Sequence, residues 1–219
     1  MIVAFDLDGT LVDSATDIAT SANELVTTLG GQPLDLDAIS LMVGDGAGVL
    51  VARVLREAGL PPDSPGALHR FLEIYGRRLL ESTVEYPGTR ATLALLAPRV
   101  RMAVLTNKPL AHSERVLEGL ALREFFSEVI GGDGPRGKKP DPSALLAVIG
   151  SAPGGALYVG DSPVDWQTAE NAGCAFAWAR YGFGARRFGD QRPDTPYVLD
   201  APRDLVAVVD RISAVLSGQ

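Results

Sequence analysis

Cysteine is almost missing from this sequence. Cys174 stands alone among 219 residues, so no intrachain disulfide can form, and within Cys174-Ala175-Phe176-Ala177-Trp178 it reads as a buried strand thiol in a protein of a reducing compartment. Histidine is nearly as scarce. His69 and His112 fall in helical patterns, and neither belongs to a metal-ligand spacing. No apolar run approaches the roughly 18 residues that a bilayer span requires, and no basic segment precedes the apolar start at Ile2, so neither a membrane anchor nor a signal peptide is expected. Positive charge is in deficit, with 20 Lys and Arg against 27 Asp and Glu for a net charge of -7. That balance repels nucleic acid and anionic membrane, because counterion release needs cations on the protein. Repeats and low-complexity tracts are lacking too. The expectation is a soluble cytoplasmic protein, monomeric or homodimeric, whose 46% hydrophobic content supports one domain or one domain with a large insertion.

Against these absences the N-terminus stands out. Residues 1–14 read Met-Ile-Val-Ala-Phe-Asp-Leu-Asp-Gly-Thr-Leu-Val-Asp-Ser, an apolar run that stops at two acids and a glycine. The run is too short for a stable helix, and its composition suits the centre of a parallel sheet. Asp6 and Asp8 then sit at the C-terminal end of a strand, where open α/β sheets bind ligands. An acidic pair after a strand is also a common solvated turn or helix cap, so the pair alone does not decide.

From Ser14 to about residue 80 the pattern turns helical. Ser14-x-x-Asp17 resembles a capping box with Asp for the usual Glu, and Ile18, Ala22, Leu25 and Leu29 repeat at helical spacing up to Gly30-Gly31. Further helices are expected at 37–42, 49–58 and 67–80, the last with an apolar stripe of Leu68, Phe71, Leu72, Tyr75 and Leu79. Tyr86-Pro87-Gly88 closes the block. Helix 89–96, strand 102–105, helix 109–120, strand 128–130, a short helix after Pro142, strand 156–159, helix 164–172, strand 174–178 and helix 205–216 follow. Such alternation implies a parallel sheet with helices on both faces. The tract 182–196 reads as a surface loop whose Arg186, Arg187 and Arg192 are more simply solvated than phosphate-binding.

Three later strand ends carry polar residues. Leu105-Thr106-Asn107-Lys108-Pro109 sets Thr106 between a strand end and a helix N-terminus, with Pro109 suited to the first helical position. Gly137-Lys138-Lys139-Pro140 offers two lysines able to reach the first strand's acids, or simply two surface lysines. In Tyr158-Val159-Gly160-Asp161-Ser162-Pro163-Val164-Asp165, Ser162, Pro163 and Asp165 make a helix cap without invoking chemistry. Asp161 is left unexplained by that reading.

Asp6-Leu7-Asp8-Gly9-Thr10-Leu11-Val12 resembles the first motif of the haloacid dehalogenase superfamily of phosphatases. Thr106, Lys139-Pro140 and Gly160-Asp161 through Asp165 are similar to its second, third and fourth motifs, in the family's order. Val43-Gly44-Asp45-Gly46-Ala47-Gly48, Thr106-Asn107-Lys108-Pro109, Gly131-Gly132-Asp133 and Tyr181-Gly182-Phe183-Gly184 look like the phosphoglycolate phosphatase branch. The resemblance implies a Rossmann-like α/β core over residues 1–13 and 86–219, with an all-helical cap at 14–85 hinged near 12–14 and 85–88. It implies Asp6 as nucleophile forming an aspartyl-phosphate, Asp8 as acid and base, and Thr106 and Lys139 as holders of the phosphoryl oxygens. Mg²⁺ is implied at Asp6, Asp8 (through its backbone carbonyl) and Asp161, with Asp165 behind. Substrate contacts are expected from Thr106, Asn107 and Lys139, and from Gly44, Asp45 and Gly46 of a cap loop.

The residue types agree with that chemistry. A phosphate monoester carries nearly two negative charges, and each unit-charge pair at 4 Å is worth about 4 kcal/mol at an effective dielectric of 20. One lysine cannot balance four convergent aspartates, so a hard divalent cation is required. For a carboxylate-bearing substrate, Lys108, Arg180 and the amides before Val49 are equal candidates. A β-phosphoglucomutase-like mutase and a sugar-phosphate or pyrophosphate hydrolase share the motifs. A phosphate sensor without turnover is disfavoured, since binding alone needs no acid-base Asp8.

Overall fold

The computed structural model describes residues 1–150 and 155–218. Its first strand, β1 (Ile2–Phe5), leads into a two-residue strand, β2 (Val12–Asp13), and then into four helices: α1 (Ala15–Thr28), α2 (Leu36–Ser40), α3 (Ala47–Glu57) and α4 (Ala67–Arg78). The chain returns through β3 (Val84–Glu85) and α5 (Thr89–Leu96). It continues as β4 (Arg101–Leu105), α6 (Leu110–Gly119), β5 (Glu128–Ile130), α7 (Ser143–Ile149), β6 (Ala156–Gly160), α8 (Pro163–Ala172), β7 (Ala175–Ala179), β8 (Tyr197–Leu199) and α9 (Leu205–Leu216). Among the described residues no helix is long and apolar enough to cross a membrane.

Six strands form one parallel sheet in the order β5-β4-β1-β6-β7-β8. Counted in chain order within that sheet, this is the 3-2-1-4-5-6 arrangement of a Rossmann-like fold. The strand order reverses between β1 and β6, so a crevice opens there at the strands' C-terminal ends. Phe5 lies level with Val104 and Val159, which brings Asp6, Thr106 and Asp161 to that crevice together.

The strands are apolar on both sides, as a two-faced core demands. Val3, Phe5, Met102, Val104, Leu157 and Val159 join one cluster with residues of α5, α6 and α9. Ala4, Ala103, Leu105, Tyr158, Phe176 and Trp178 point the other way, onto α7 and α8. Fully burying each large aliphatic side chain contributes about 1.5–3 kcal/mol, so the sheet is a rigid platform for its loops.

The helical insertion departs and returns through β2 and β3, which pair antiparallel, Val12 with Glu85 and Asp13 with Val84. The expected hinge segments are therefore joined to each other. Two-residue strands carry too little pattern to be legible in advance, and the same holds for β8.

Several local expectations need correction. Ser14 and Asp17 do not form a capping box: Ser14 Oγ donates to Asp8 Oδ1 at 2.6 Å, and the buried Asp17 carboxylate accepts from the Ser82 and Thr83 amides and from Thr83 Oγ1 at 2.7–3.0 Å. Tertiary donors outcompete the helix's own amides. On α4, Leu68 is exposed and Ile74 is buried, because the face that packs on α1 is rotated from the one expected. Pro109 is the cap preceding α6, not its first residue, and Cys174 lies just before β7, half-buried. The 182–196 tract contains a short 3₁₀ helix, Phe183–Phe188, with Gly184 and Phe188 buried.

Candidate active site

Asp6 follows β1 directly and is buried. Its Oδ1 lies 2.8 Å from Lys139 Nζ but accepts no hydrogen bond, the angle being wrong. Lys139 Nζ donates instead to Asp165 Oδ1 at 2.6 Å. Burial pushes the Asp6 carboxyl up to about 6, against the pull of Lys139 and with help from Asp165.

Asp161 stands across the crevice at the end of β6. Its Oδ2 accepts from the Gly184 amide at 2.7 Å, and burial, reinforced by Asp165 and Asp6, holds its carboxyl well above the usual range. Glycines make room for it. A Cβ at Gly9 (φ +89°) or at Gly182 would run into this carboxylate. Asp165 is the expected capping-box acid of α8, with Oδ2 accepting from the Ser162 amide at 3.0 Å and Ser162 Oγ at 2.6 Å, while Oδ1 takes Lys139 and the Tyr158 hydroxyl at 3.2 Å.

Asp6, Asp161 and Asp165 each present a carboxylate oxygen within 4.8 Å of the others, all buried. Three acids face one ammonium, and two of them are driven toward their protonated forms. The donor set fits a hard divalent cation: Asp6 Oδ1 has no hydrogen-bond donor, the ligands are carboxylates, and the charge deficit is local. Both oxygens of Asp165 are already engaged, so it supports the cluster from behind.

Asp8 is outside that cluster. Its Oδ1 accepts from Ser14 Oγ at 2.6 Å and from Lys108 Nζ at 2.7 Å. Lys108 is buried, and its ammonium also donates to the Tyr75 hydroxyl of α4. Burial works against the charge on Lys108, but Asp8 beside it more than offsets this and raises its pKa. The pattern of paired motifs carried no signal for Tyr75, which sits in a helix some 65 residues from Asp8 and reads as ordinary core.

Thr106 is buried at the end of β4, its hydroxyl accepting from the Lys108 amide at 3.3 Å. Asn107 binds protein backbone: its amide donates to Gly44 O at 3.0 Å and Lys139 O at 3.1 Å, and accepts from the Lys139 amide at 2.9 Å. It thereby fixes the Lys139 loop against the β4 end. Gly131 and Gly132 allow that loop to pass against the Asn107 and Leu110 backbone, and Asp133 Oδ1 accepts from the Leu110 amide at 2.8 Å.

A cavity of about 50 Å³ lies between sheet and insertion. Asp6, Asp8, Thr106, Asn107, Lys108 and Pro109 line it from the core, Gly44, Gly46 and Ala47 from the cap loop, and Ile18, Val43, Leu50, Phe71, Leu72 and Tyr75 from the rest of the insertion. Of the expected cap-loop contacts, Gly44 and Gly46 reach the cavity. Asp45 turns away to Arg53 and to Arg187 Nη2 (2.6 Å), while Arg187 Nη1 donates to Val43 O at 2.6 Å. Arg186 pairs with Asp37 at 2.9 Å. Arg186 and Arg187 thus tie the core to the insertion, where simple solvation was expected. Arg180 pairs with Asp200 at the surface. His112 packs edge-on against Tyr75 with ring centres 5.7 Å apart, and His69 is exposed beside Glu73.

Comparison with known proteins agrees with this geometry. The haloacid dehalogenase-like hydrolase family matches residues 3–179. The chain is 38% identical to a phosphoglycolate phosphatase of Pseudomonas putida, over 99% of this chain and 79% of that one. It is 41% identical to a phosphoglycolate phosphatase of Rhodospirillum rubrum, over 83% and 80%. The crystal structure of a predicted phosphoglycolate phosphatase from Haemophilus somnus superposes with a TM-score of 0.84 at 29% identity, covering 94% of this chain and 96% of that one. Sheet order, buried acids and these likenesses converge: the chain belongs to the haloacid dehalogenase-like hydrolases.

Proposed function

We propose that the protein is a cytoplasmic, Mg²⁺-dependent phosphomonoester hydrolase acting on 2-phosphoglycolate or a similarly small phosphorylated metabolite, through an aspartyl-phosphate on Asp6. The observation that carries this reading is the pairing of two differently placed carboxylates. Asp6 is buried with a bare Oδ1 beside Lys139, whereas Asp8 is held at the cavity by Ser14 and Lys108. A nucleophile and a proton carrier require that division.

Asp6 attacks phosphorus as the P–O ester bond breaks, and Asp8 gives its proton to the departing alkoxide. Asp8 then takes a proton from water, whose oxygen attacks phosphorus and releases the Asp6 carboxylate with inorganic phosphate. Lys139 and the Thr106 hydroxyl hold the phosphoryl oxygens while charge spreads over them. Asn107 keeps Lys139 in place. Asp6, the Asp8 carbonyl and Asp161 are the groups that would hold Mg²⁺, with Asp165 supporting. Bound there, the ion neutralises the acids and the phosphoryl charge.

Residues 1–13 and 86–219 form the core under this reading, and 14–85 a cap that keeps water from the phospho-enzyme except when it is needed. The relatives' names support the substrate assignment. The test is phosphate release with Mg²⁺ across 2-phosphoglycolate, sugar phosphates, pyrophosphate and p-nitrophenyl phosphate. A marked preference for 2-phosphoglycolate is expected. Hydrolysis of all esters alike would end the narrow assignment, and no hydrolysis by a well-folded sample would end the enzymatic one.

A further inference from the structure

Glycolate differs from a plain alcohol leaving group by its carboxylate, and the cavity holds few groups able to receive one. Lys139 is occupied by Asp6 and Asp165, and Arg53 and Arg187 by Asp45. Lys138 is exposed and does not line the cavity. Lys108 does line it. Its ammonium has three donors, of which one meets Asp8 Oδ1 and one the Tyr75 hydroxyl among the described residues. Tyr75 in turn only accepts there, leaving its O–H proton to give. Both groups line the same space side by side, Lys108 from the loop after β4 and Tyr75 from α4.

We propose that Lys108 Nζ and Tyr75 Oη together form the receptor for the carboxylate of the leaving group, one donor from the core and one from the helical insertion. This rests on the hydrolase reading above, and it selects Lys108 over Arg180, which pairs with Asp200 at the surface. Position supports it. In glycolate a single methylene separates the carboxylate from the ester oxygen, so its receptor must touch the residue that protonates that oxygen, and Lys108 is hydrogen-bonded to Asp8 at 2.7 Å.

Size and polarity support it also. The cavity of about 50 Å³ compares with the ~10–15 Å³ that one water needs on the same scale, room for a two-carbon acid. Ile18, Val43, Leu50, Phe71 and Leu72 form its remaining wall, against which sugar hydroxyls would be left unpaired, at a cost of about 1–3 kcal/mol each.

The test compares kcat/KM for 2-phosphoglycolate and for ethyl phosphate, which lacks the carboxylate, in the Mg²⁺-loaded wild type, Lys108→Met and Tyr75→Phe. Glycolate and inorganic phosphate binding are measured beside it by calorimetry. Lys108→Met lowers the preference for 2-phosphoglycolate by about 100-fold and Tyr75→Phe by about 10-fold, as the loss of a charged and a neutral donor implies. Glycolate binding weakens in parallel and phosphate binding persists. Using the ratio removes any effect of Lys108 on Asp8, which both substrates share. Unchanged preference and unchanged glycolate binding in both variants overturn the receptor while leaving the hydrolase assignment intact. If the wild type itself shows no preference, the substrate reading falls, and glycolate binding alone decides: lost in the variants, the receptor stands; retained, it does not. Should Lys108→Met fail to fold, Tyr75→Phe carries the same comparison.

Discussion

At the scale of single residues, the site depends on how two aspartates only two positions apart acquire different surroundings. Asp6 loses solvent and faces Lys139, while Asp8 keeps partial exposure and faces Ser14 and Lys108. Asp6→Asn therefore abolishes turnover to background, since no carboxylate remains to form the phospho-enzyme. Asp8→Asn retains binding and slows kcat by about 10²–10⁴-fold, the usual worth of a general acid-base. Steady-state rates with Mg²⁺ separate the two.

The Asp6 carboxyl also makes stability depend on pH. With its pKa raised from 3.8 to about 6, the metal-free fold holds a proton that the unfolded chain has already released. Stability thus declines as pH rises from 3.8 to about 6, by up to about 3 kcal/mol, and stays at the lower level above that. Mg²⁺ needs the ionised form. Added Mg²⁺ is expected to raise the melting temperature more at pH 7.5 than at pH 5, and an equal rise at both would contradict this account.

At the scale of elements, the start of α1 shows how a motif can be right in composition and wrong in use. Ser14 and Asp17 have the types and spacing of a cap, yet Ser14 is drawn to Asp8 and Asp17 to Ser82 and Thr83. Asp17 thereby pins the departing helix to the returning strand next to the β2–β3 pair. Asp17→Ala leaves the Ser82 amide and the buried Thr83 amide and hydroxyl without their acceptor. The expected loss is on the order of 3 kcal/mol, measurable by urea unfolding, with earlier proteolysis around residues 82–85.

At the scale of the whole molecule, insertion and sheet meet over the cavity through a small set of polar ties: Arg187 to Asp45 and Val43, Arg186 to Asp37, Asn107 to Gly44, and Lys108 to Tyr75. The Arg187–Asp45 pair is mostly buried, with side chains 15% and 23% exposed, so it is screened less than a surface pair. Arg187→Ala is expected to raise KM several-fold with little change in kcat. A rise of KM with added salt is expected in the wild type, and Arg187→Ala is expected to flatten it. A KM that is unchanged, with the same salt dependence, would show that these ties do not govern closure.

The alternation of strand and helix was legible because burial repeats along the chain: residues 2–5, 102–105 and 156–159 are apolar runs followed by polar residues, and each became a central strand with Asp6, Thr106 or Asp161 beyond its end. Short elements and shared side chains were not legible. The Val12–Asp13 and Val84–Glu85 strands are too brief to show a period, and nothing near Lys108 in sequence points to Tyr75. By itself the sequence determined the helical insertion, the parallel sheet and the candidate phosphoryl-transfer acids, since periodicity and local motif chemistry are properties of neighbours along the chain. Only the tertiary structure decided which partner each polar group takes: Ser14 with Asp8, Asn107 with backbone, Arg187 with Asp45, Lys108 with Tyr75. Those choices are settled by competition among donors brought close by folding, and the order of residues does not encode that competition locally.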